Sequence, residues 1–115
     1  MKNFLFSGVM VYIVKTTALF NADFPKIIPR QFQSDVRRRL LKLRDNPFVG
    51  RPLGDKYFRE LKLDKFRIYF IIFEQEVIVF VVAVSDKKRQ KETILLIKKK
   101  YPELRKLVKN INQDI

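Results

Sequence analysis

Two near-continuous apolar runs dominate the pattern of this chain, Phe66 to Phe73 and Val77 to Val84. Both are apolar at odd and even positions alike, which predicts central strands covered on two faces. Glu74-Gln75-Glu76 separates them and supplies the polar turn of a hairpin. The same triplet argues against a lipid-buried helix over Ile68 to Val84. Ahead of them, Tyr57 to Leu63 alternates: Tyr57, Arg59, Leu61 and Leu63 on one face, Phe58, Glu60 and Lys62 on the other. That period predicts a half-buried strand, with Asp64-Lys65 as a short turn.

Helical spacing comes earlier and later. Phe32, Val36, Leu40 and Leu43 recur at steps of four, four and three, one apolar face of a helix from about Pro29 to Arg44. Pro29 suits a first turn, where its missing N–H costs nothing, and Asp45-Asn46-Pro47 stops the helix. Met10 to Thr16, rich in Val, Ile, Tyr and Thr, predicts a first strand. Thr17 caps a short helix over Ala18 to Phe24 that Pro25 limits or ends. Residues 46–55 read as a turn. Gln90 to Lys100 returns to helical spacing through Ile94, Leu95 and Ile97, and Pro102 interrupts it. Residues 102–115 then add a further short helix through Leu104, Leu107, Val108 and Ile111.

The sum is an α+β chain of order β-α-α-β-β-β-α. Its antiparallel sheet has about four strands, with two N-terminal helices packed on it and a C-terminal helix. Its 115 residues predict a single domain, 1–115. Residues 1–9 read either as an extension upstream of a natural start at Met10 or as a leader lengthening the first strand. The run Phe4 to Val14 is too short to span a bilayer and lacks a small-x-small cleavage site. No membrane partner follows from it.

Charge changes the picture. The net charge is +13, from 25 Lys+Arg against 12 Asp+Glu. Such an excess attracts polyanions, and the basic residues are clustered rather than scattered. An apolar share of 47% with 11 Phe leaves ample core, so the chain is not a disordered basic tail. Cys and His are both absent. Disulfides, thiolate nucleophiles and Cys/His zinc sites are excluded, and so is imidazole acid–base chemistry. Any catalysis must use Lys, Arg, Asp, Glu, Tyr, Ser or Thr, with no metal and no cofactor called for.

The order of parts resembles the RelE/ParE family of bacterial and archaeal toxins over roughly residues 10–98. The resemblance rests on Asn46-Pro47-Phe48-Val49-Gly50-Arg51-Pro52-Leu53, then Tyr57-Phe58-Arg59-Glu60-Leu61, then Phe66-Arg67-Ile68-Tyr69-Phe70. It continues in a last strand that empties into Ser85-Asp86-Lys87-Lys88-Arg89-Gln90-Lys91. Order and spacing together make these pieces specific, though each is weak alone. The resemblance implies a toxin of a type II toxin–antitoxin pair, cytoplasmic and held silent by a small acidic antitoxin. RelE-like members cleave mRNA on the ribosome; ParE-like members inhibit DNA gyrase. A catalytically degenerate RNA-binding relative is a third possibility.

Cleavage beside a 2′-hydroxyl needs a base, stabilisation of phosphorane charge, and an acid for the leaving oxygen. By resemblance, Arg67 clamps the scissile phosphate and Lys62, in a positive cleft, acts as base. Lys87 and Arg89 stabilise charge, the lysine also donating the proton. Arg37, Arg38, Lys42, Lys65, Lys88 and Lys91 form the RNA- and ribosome-docking set. Two positions depart from the family: Thr93 stands near a usual Tyr, and Glu60 stands where RelE is basic. Plainer readings sit beside these. Arg67 can pair with Glu60 or Asp86 across the sheet, and Lys87 to Lys91 can be a solvated helix start.

Overall fold

The computed structural model describes residues 11–113. The elements are β1 (Ile13–Thr16), α1 (Ala18–Ile27), α2 (Arg30–Lys42), a 3-10 turn (Pro47–Val49), β2 (Arg51–Asp55), β3 (Phe58–Leu63), β4 (Phe66–Phe73), β5 (Ile78–Asp86), a second 3-10 turn (Lys87–Arg89) and α3 (Gln90–Gln113). The readings placed on residues 1–10 lie outside the described residues.

The long apolar runs became the centre of the sheet, as their two-faced pattern requires. Among the described residues it has five strands in the order β1-β5-β4-β3-β2. Every residue of β4 is buried, and so is β5 up to Ser85. One face carries Leu61, Phe66, Ile68, Phe70, Val79, Val81 and Val84 against Phe20 and Phe24 of α1, Ile28 just after it, and Val36, Leu40 and Leu43 beside them. The other face carries Phe58, Tyr69, Ile71, Phe73, Ile78, Phe80, Val82 and Ala83 against Ile97, Leu104 and Val108 of α3. The α+β architecture therefore stands, with two helices on one face and one on the other.

Four details differ from the sequence reading. The sheet is mixed rather than antiparallel, because β1 runs parallel to β5, Ile13 opposite Ile78 through Thr16 opposite Val81. It gains a fifth strand, β2, from the segment read as a turn: Arg51 and Pro52 pair with Glu60 and Arg59 before the register shifts toward Asp55. A proline is tolerated there because β2 is an edge strand. Helix α1 continues through Pro25 to Ile27, and α3 runs unbroken through Pro102. The carbonyls these prolines leave unbonded belong to Asn21 and Lys98, both exposed, so water can satisfy them. Beyond Pro102, buried Leu104 and Val108 pull α3 onto the sheet. Arg105 Nη1 donates to Glu76 Oε1 at 2.9 Å. Packing thus overrides the local break.

A β-bulge sits between β4 and β5. Tyr69 pairs with Ala83 and Phe70 with Val81, so Val82 is extra. Val82 and Ala83 both face α3, whereas Val81 and Val84 face the other side. The extra residue resets the two-residue alternation. It turns Ser85 to the α3 face, beside Arg67 and Tyr69.

Candidate functional site

The α3 face of the sheet divides along its length. Toward the β4–β5 turn it is apolar and roofed by α3. Toward the β3–β4 turn it is polar. There Lys62 lies opposite Arg67, and Arg67 opposite Ser85, a row across three neighbouring strands. Strands stand roughly 4.8 Å apart, so the row is short enough for one phosphate group to span neighbouring positions.

The row is joined to the basic segment by a backbone bond. The Lys87 N–H donates to the Lys65 carbonyl at 2.7 Å. That carbonyl belongs to a two-residue turn whose Asp64 has φ of 53°, the left-handed region that aspartate tolerates. The second 3-10 turn is capped by Asp86, whose Oδ1 accepts from the Arg89 N–H at 3.0 Å. Lys62, Lys65, Arg67 and Lys87 are thereby gathered at one end of the sheet. Lys88, Arg89 and Lys91 follow on an exposed turn and helix start.

Within this group Arg67 is unlike the lysines, being only 6% exposed. Its Nη1 donates to the carbonyls of Asp64 at 3.0 Å and Phe66 at 2.9 Å. Its Nε lies 3.9 Å from Glu60 Oε2, too long for a hydrogen bond. Neither Nε nor Nη2 has a hydrogen-bond partner among the described residues. Yet none of their buried side-chain nitrogens or oxygens is left unpartnered. The Nε–Nη2 edge is therefore where the guanidinium meets the surface.

Beneath the row lies a buried polar network. Glu60 is 1% exposed. Gln90 Nε2 donates to both of its oxygens, at 2.8 and 3.0 Å, pinning the first residue of α3 to β3. The Tyr69 hydroxyl shares a 2.8 Å hydrogen bond with Ser85 Oγ, which donates to the Asp86 carbonyl at 2.9 Å. Burial, the dominant cause, pushes the Tyr69 hydroxyl pKa up, with Glu60 and Asp86 adding to it and Ser85 and Arg67 opposing.

The expected docking charges on α2 do not join this group. Arg37 lies over the Phe24 ring of α1, 5.2 Å from its centroid. Arg38 pairs with Asp35 at 2.7 Å, and Lys42 is exposed. Arg39 is the one that reaches the site, donating to the Lys62 carbonyl at 3.0 Å. Among the network members, Gln90, Ser85 and Tyr69 lie in the family-like segments but have no site role in the sequence reading, since the bulge that places Ser85 is invisible in an all-apolar strand. Of the two ion-pair partners the sequence offers Arg67, Glu60 or Asp86, Glu60 is the one within reach, at 3.9 Å. Thr93 does not offer its hydroxyl outward; Oγ1 donates to the Arg89 carbonyl at 2.7 Å, a bond within its own helix.

At the far end of the same face a groove of about 750 Å³ opens between the β4–β5 turn and α3, lined by Phe58, Phe73, Glu74, Ile97, Tyr101 and Arg105. It contains no member of the basic row. Among the described residues no helix is long and apolar enough to cross a membrane.

Two kinds of likeness bear on what this arrangement is. No curated protein matches the chain. In fold it is similar to a double arginine-to-alanine mutant of the E. coli toxin RelE in the free state. The TM-score is 0.66 at 16% identity, over 78% of this chain and 98% of that one. It is also similar to the RelBE2 toxin–antitoxin complex of Mycobacterium tuberculosis, with TM-score 0.58 and 21% identity over 66% and 98%. The intact E. coli RelBE complex gives 0.58 and 16% over 65% and 95%. A family model, that of the ParE toxin of the type II toxin–antitoxin system parDE, matches residues 14–91. The match runs from β1 through the whole sheet and both N-terminal helices to the first turn of α3, and so the chain belongs to the ParE toxin family of type II toxin–antitoxin systems, within the RelE/ParE superfamily.

Proposed function

We propose that this toxin acts as a ribosome-dependent mRNA endonuclease. The observation that carries the reading is the Lys62–Arg67–Ser85 row, with Lys65 and Lys87 tied to it by a backbone hydrogen bond. Exposed Lys62 stands opposite a buried guanidinium whose Nε–Nη2 edge is the open one, and the Lys65 ammonium lies over the neighbouring Phe66 ring, 5.6 Å from its centroid. That edge has the geometry for bidentate contact with a phosphate. In this reading Arg67 holds the scissile phosphate and Lys62 takes the 2′-hydroxyl proton. Lys87 and Arg89 offset the developing charge, and Lys87 protonates the leaving oxygen. Lys88 and Lys91 extend the track for the flanking strand. Arg37, Arg38 and Lys42, on the other helical layer, contact ribosomal RNA rather than the message.

The partner in this reading is an acidic antitoxin. A net charge of +13 favours such a partner, and solved RelE relatives are complexes with the antitoxin RelB. The toxin works in the cytoplasm, where ribosomes and messages are.

A second reading has its own support. Thr93 donates its hydroxyl within its own helix, which leaves it no proton to offer a leaving group. The matching family model is that of ParE, whose members resemble gyrase inhibitors rather than nucleases. In this version the basic end meets a protein surface.

Adding the purified protein to a translating extract and mapping message 5′ ends by primer extension tests the first reading. New ends at ribosome-occupied codons, absent without ribosomes, are expected. Intact message from demonstrably folded protein overturns it, and inhibition in a supercoiling assay would then establish the second.

A further inference from the structure

We propose that Glu60 is a built-in competitor for phosphate at Arg67, setting how strongly the site holds its polyanion. The inference rests on the reading of the basic row as a phosphate site.

Three features carry it. First, a carboxylate sits under a basic row in a strongly cationic chain, and it is almost wholly buried. Second, it faces the open Nε–Nη2 edge of Arg67 but does not close on it, Oε2 stopping 3.9 Å from Nε. Third, something else holds it back. Gln90 Nε2 donates to both oxygens, so the carboxylate is shared between the helix start and the arginine. A carboxylate and a phosphate present the same pair of oxygens to a guanidinium. Arg67 cannot give its full charge to one while it faces the other.

The arrangement also excludes a different role for Glu60. A general base needs a free lone pair facing the substrate. Glu60 is 1% exposed, so the lone pairs that Gln90 leaves free on its oxygens are shut off from a substrate above the row. Glu60 is thus a positioning and attenuating group that acts through Arg67. Its other polar neighbours, Tyr69 and Ser85, bond to each other rather than to it.

The geometry assigns opposite signs to two substitutions. Glu60→Gln keeps the shape and one acceptor for Gln90 while removing the charge, so Arg67 is freed. Gln90→Leu removes the restraint, so the carboxylate turns fully to Arg67. The probe is a short single-stranded RNA with 2′-O-methyl sugars, which binds without being cut. It is titrated by fluorescence anisotropy against the full chain, alone and with Glu60→Gln, Gln90→Leu, Arg67→Ala and the Glu60→Gln/Arg67→Ala double variant. Circular dichroism checks that each is folded. Glu60→Gln is expected to bind about five- to tenfold tighter, the size typical of coupling between touching groups, and Gln90→Leu weaker. The gain must vanish in the Arg67→Ala background.

A gain that survives without Arg67 would be general electrostatics, and would overturn competition. Unchanged or weaker binding by Glu60→Gln overturns it as well. If Glu60→Gln does not fold, the sign of the Gln90→Leu change decides, and tighter binding there refutes the proposal. Equal binding by wild type and Arg67→Ala is a different failure: it removes Arg67 from the interface, and with it the phosphate-site reading.

Discussion

The Thr17 hydroxyl donates to the Val82 carbonyl at 2.8 Å across 65 positions of sequence. Val82 is the extra residue of the β5 bulge, and a bulge leaves backbone groups outside the ladder. The same oxygen accepts from the Phe20 N–H at 3.1 Å, capping α1, while the Thr17 N–H donates to Val81. One side chain therefore starts a helix and satisfies the bulge that turns Ser85 toward the basic row. Thr17→Val keeps the shape and loses both bonds. It should cost about 2 kcal/mol, the sum of a helix cap and a part-buried hydrogen bond. Thr17→Ser should recover most of this. Urea midpoints at constant m-value measure it, and equal midpoints for wild type and Thr17→Val would show that the bulge is held by packing alone.

Gly50 is required by space, not by backbone angle. A Cβ there would stand 2.7 Å from Phe70 Cζ and 2.8 Å from the Glu60 carbonyl oxygen. The contact brings the Asn46–Gly50 corner down onto β3 at the Glu60 backbone, on the Phe70 face of the sheet and opposite the Glu60 carboxylate. Arg59 fixes that corner from the other side, donating to the carbonyls of Phe48, Gly50 and Lys56 at 2.8–2.9 Å. Gly50→Ala should destabilise by roughly 1–3 kcal/mol, the usual cost of overpacking. Adding Phe70→Leu should recover only part, because the backbone oxygen cannot be trimmed away. Full recovery in the double variant would locate the whole strain on the Phe70 ring.

Two buried hydroxyls predict an alkaline limit to stability. Tyr69 and Tyr12 both have their pKa raised above the ordinary 10.0, in each case mainly by burial. Glu74 and Tyr57 add to the rise at Tyr12. A raised tyrosine pKa means the folded state holds its proton more tightly than the unfolded state. The stabilisation is complete below the unfolded value and is lost as pH rises through the folded one. Unfolding free energy should therefore fall above about pH 10. Tyr69→Phe should flatten that fall while costing about 1 kcal/mol at neutral pH for the lost bond to Ser85. Denaturant titrations of both proteins at a series of alkaline pH values compare the slopes. Parallel slopes would mean that Tyr69 ionises as readily folded as unfolded.

The sequence was most legible where one pattern had one physical cause. Two-faced apolar runs could only be central strands, and β4 and β5 are. The four-four-three spacing of Phe32, Val36, Leu40 and Leu43 could only be a helix face, and three of these four are buried, with Phe32 packed at the margin. Legibility failed where a distant partner decides. Pro25 and Pro102 look like stops until the exposure of Asn21 and Lys98 is known. Residues 51–55 look like a turn until β3 offers them an edge. The site divides in the same way. Lys62, Lys65, Arg67 and Lys87 meet because adjacent strands and a tight turn bring them together, which hairpin spacing already implies. Arg37 and Arg38 were grouped with them on charge alone, and charge does not say on which side of a sheet a helix lies. Gln90 was missed because a glutamine at a helix start is ordinary unless a buried carboxylate waits beneath it.

That division predicts how salt acts on RNA binding. Each lysine that meets a phosphate contributes counterion release, and single-stranded RNA loses roughly 0.7 of log–log salt slope for each contact removed. Lys62→Ala and Lys87→Ala should each flatten the slope by about that amount on a short single-stranded RNA. Arg38→Ala should leave it unchanged, because Arg38 sits on the α2 layer and already pairs with Asp35. Its effect on stability should also be small, within about 0.5 kcal/mol, since the pair is well exposed. Arg39→Ala should fall between, because Arg39 meets the site only through the Lys62 carbonyl. It would shift Lys62 without removing a charge from the row. Anisotropy titrations from about 50 to 200 mM salt resolve slope differences of this size. If Arg38→Ala flattens the slope as much as Lys62→Ala, RNA reaches around the sheet edge onto α2, and the binding surface is wider than the row at the strand ends.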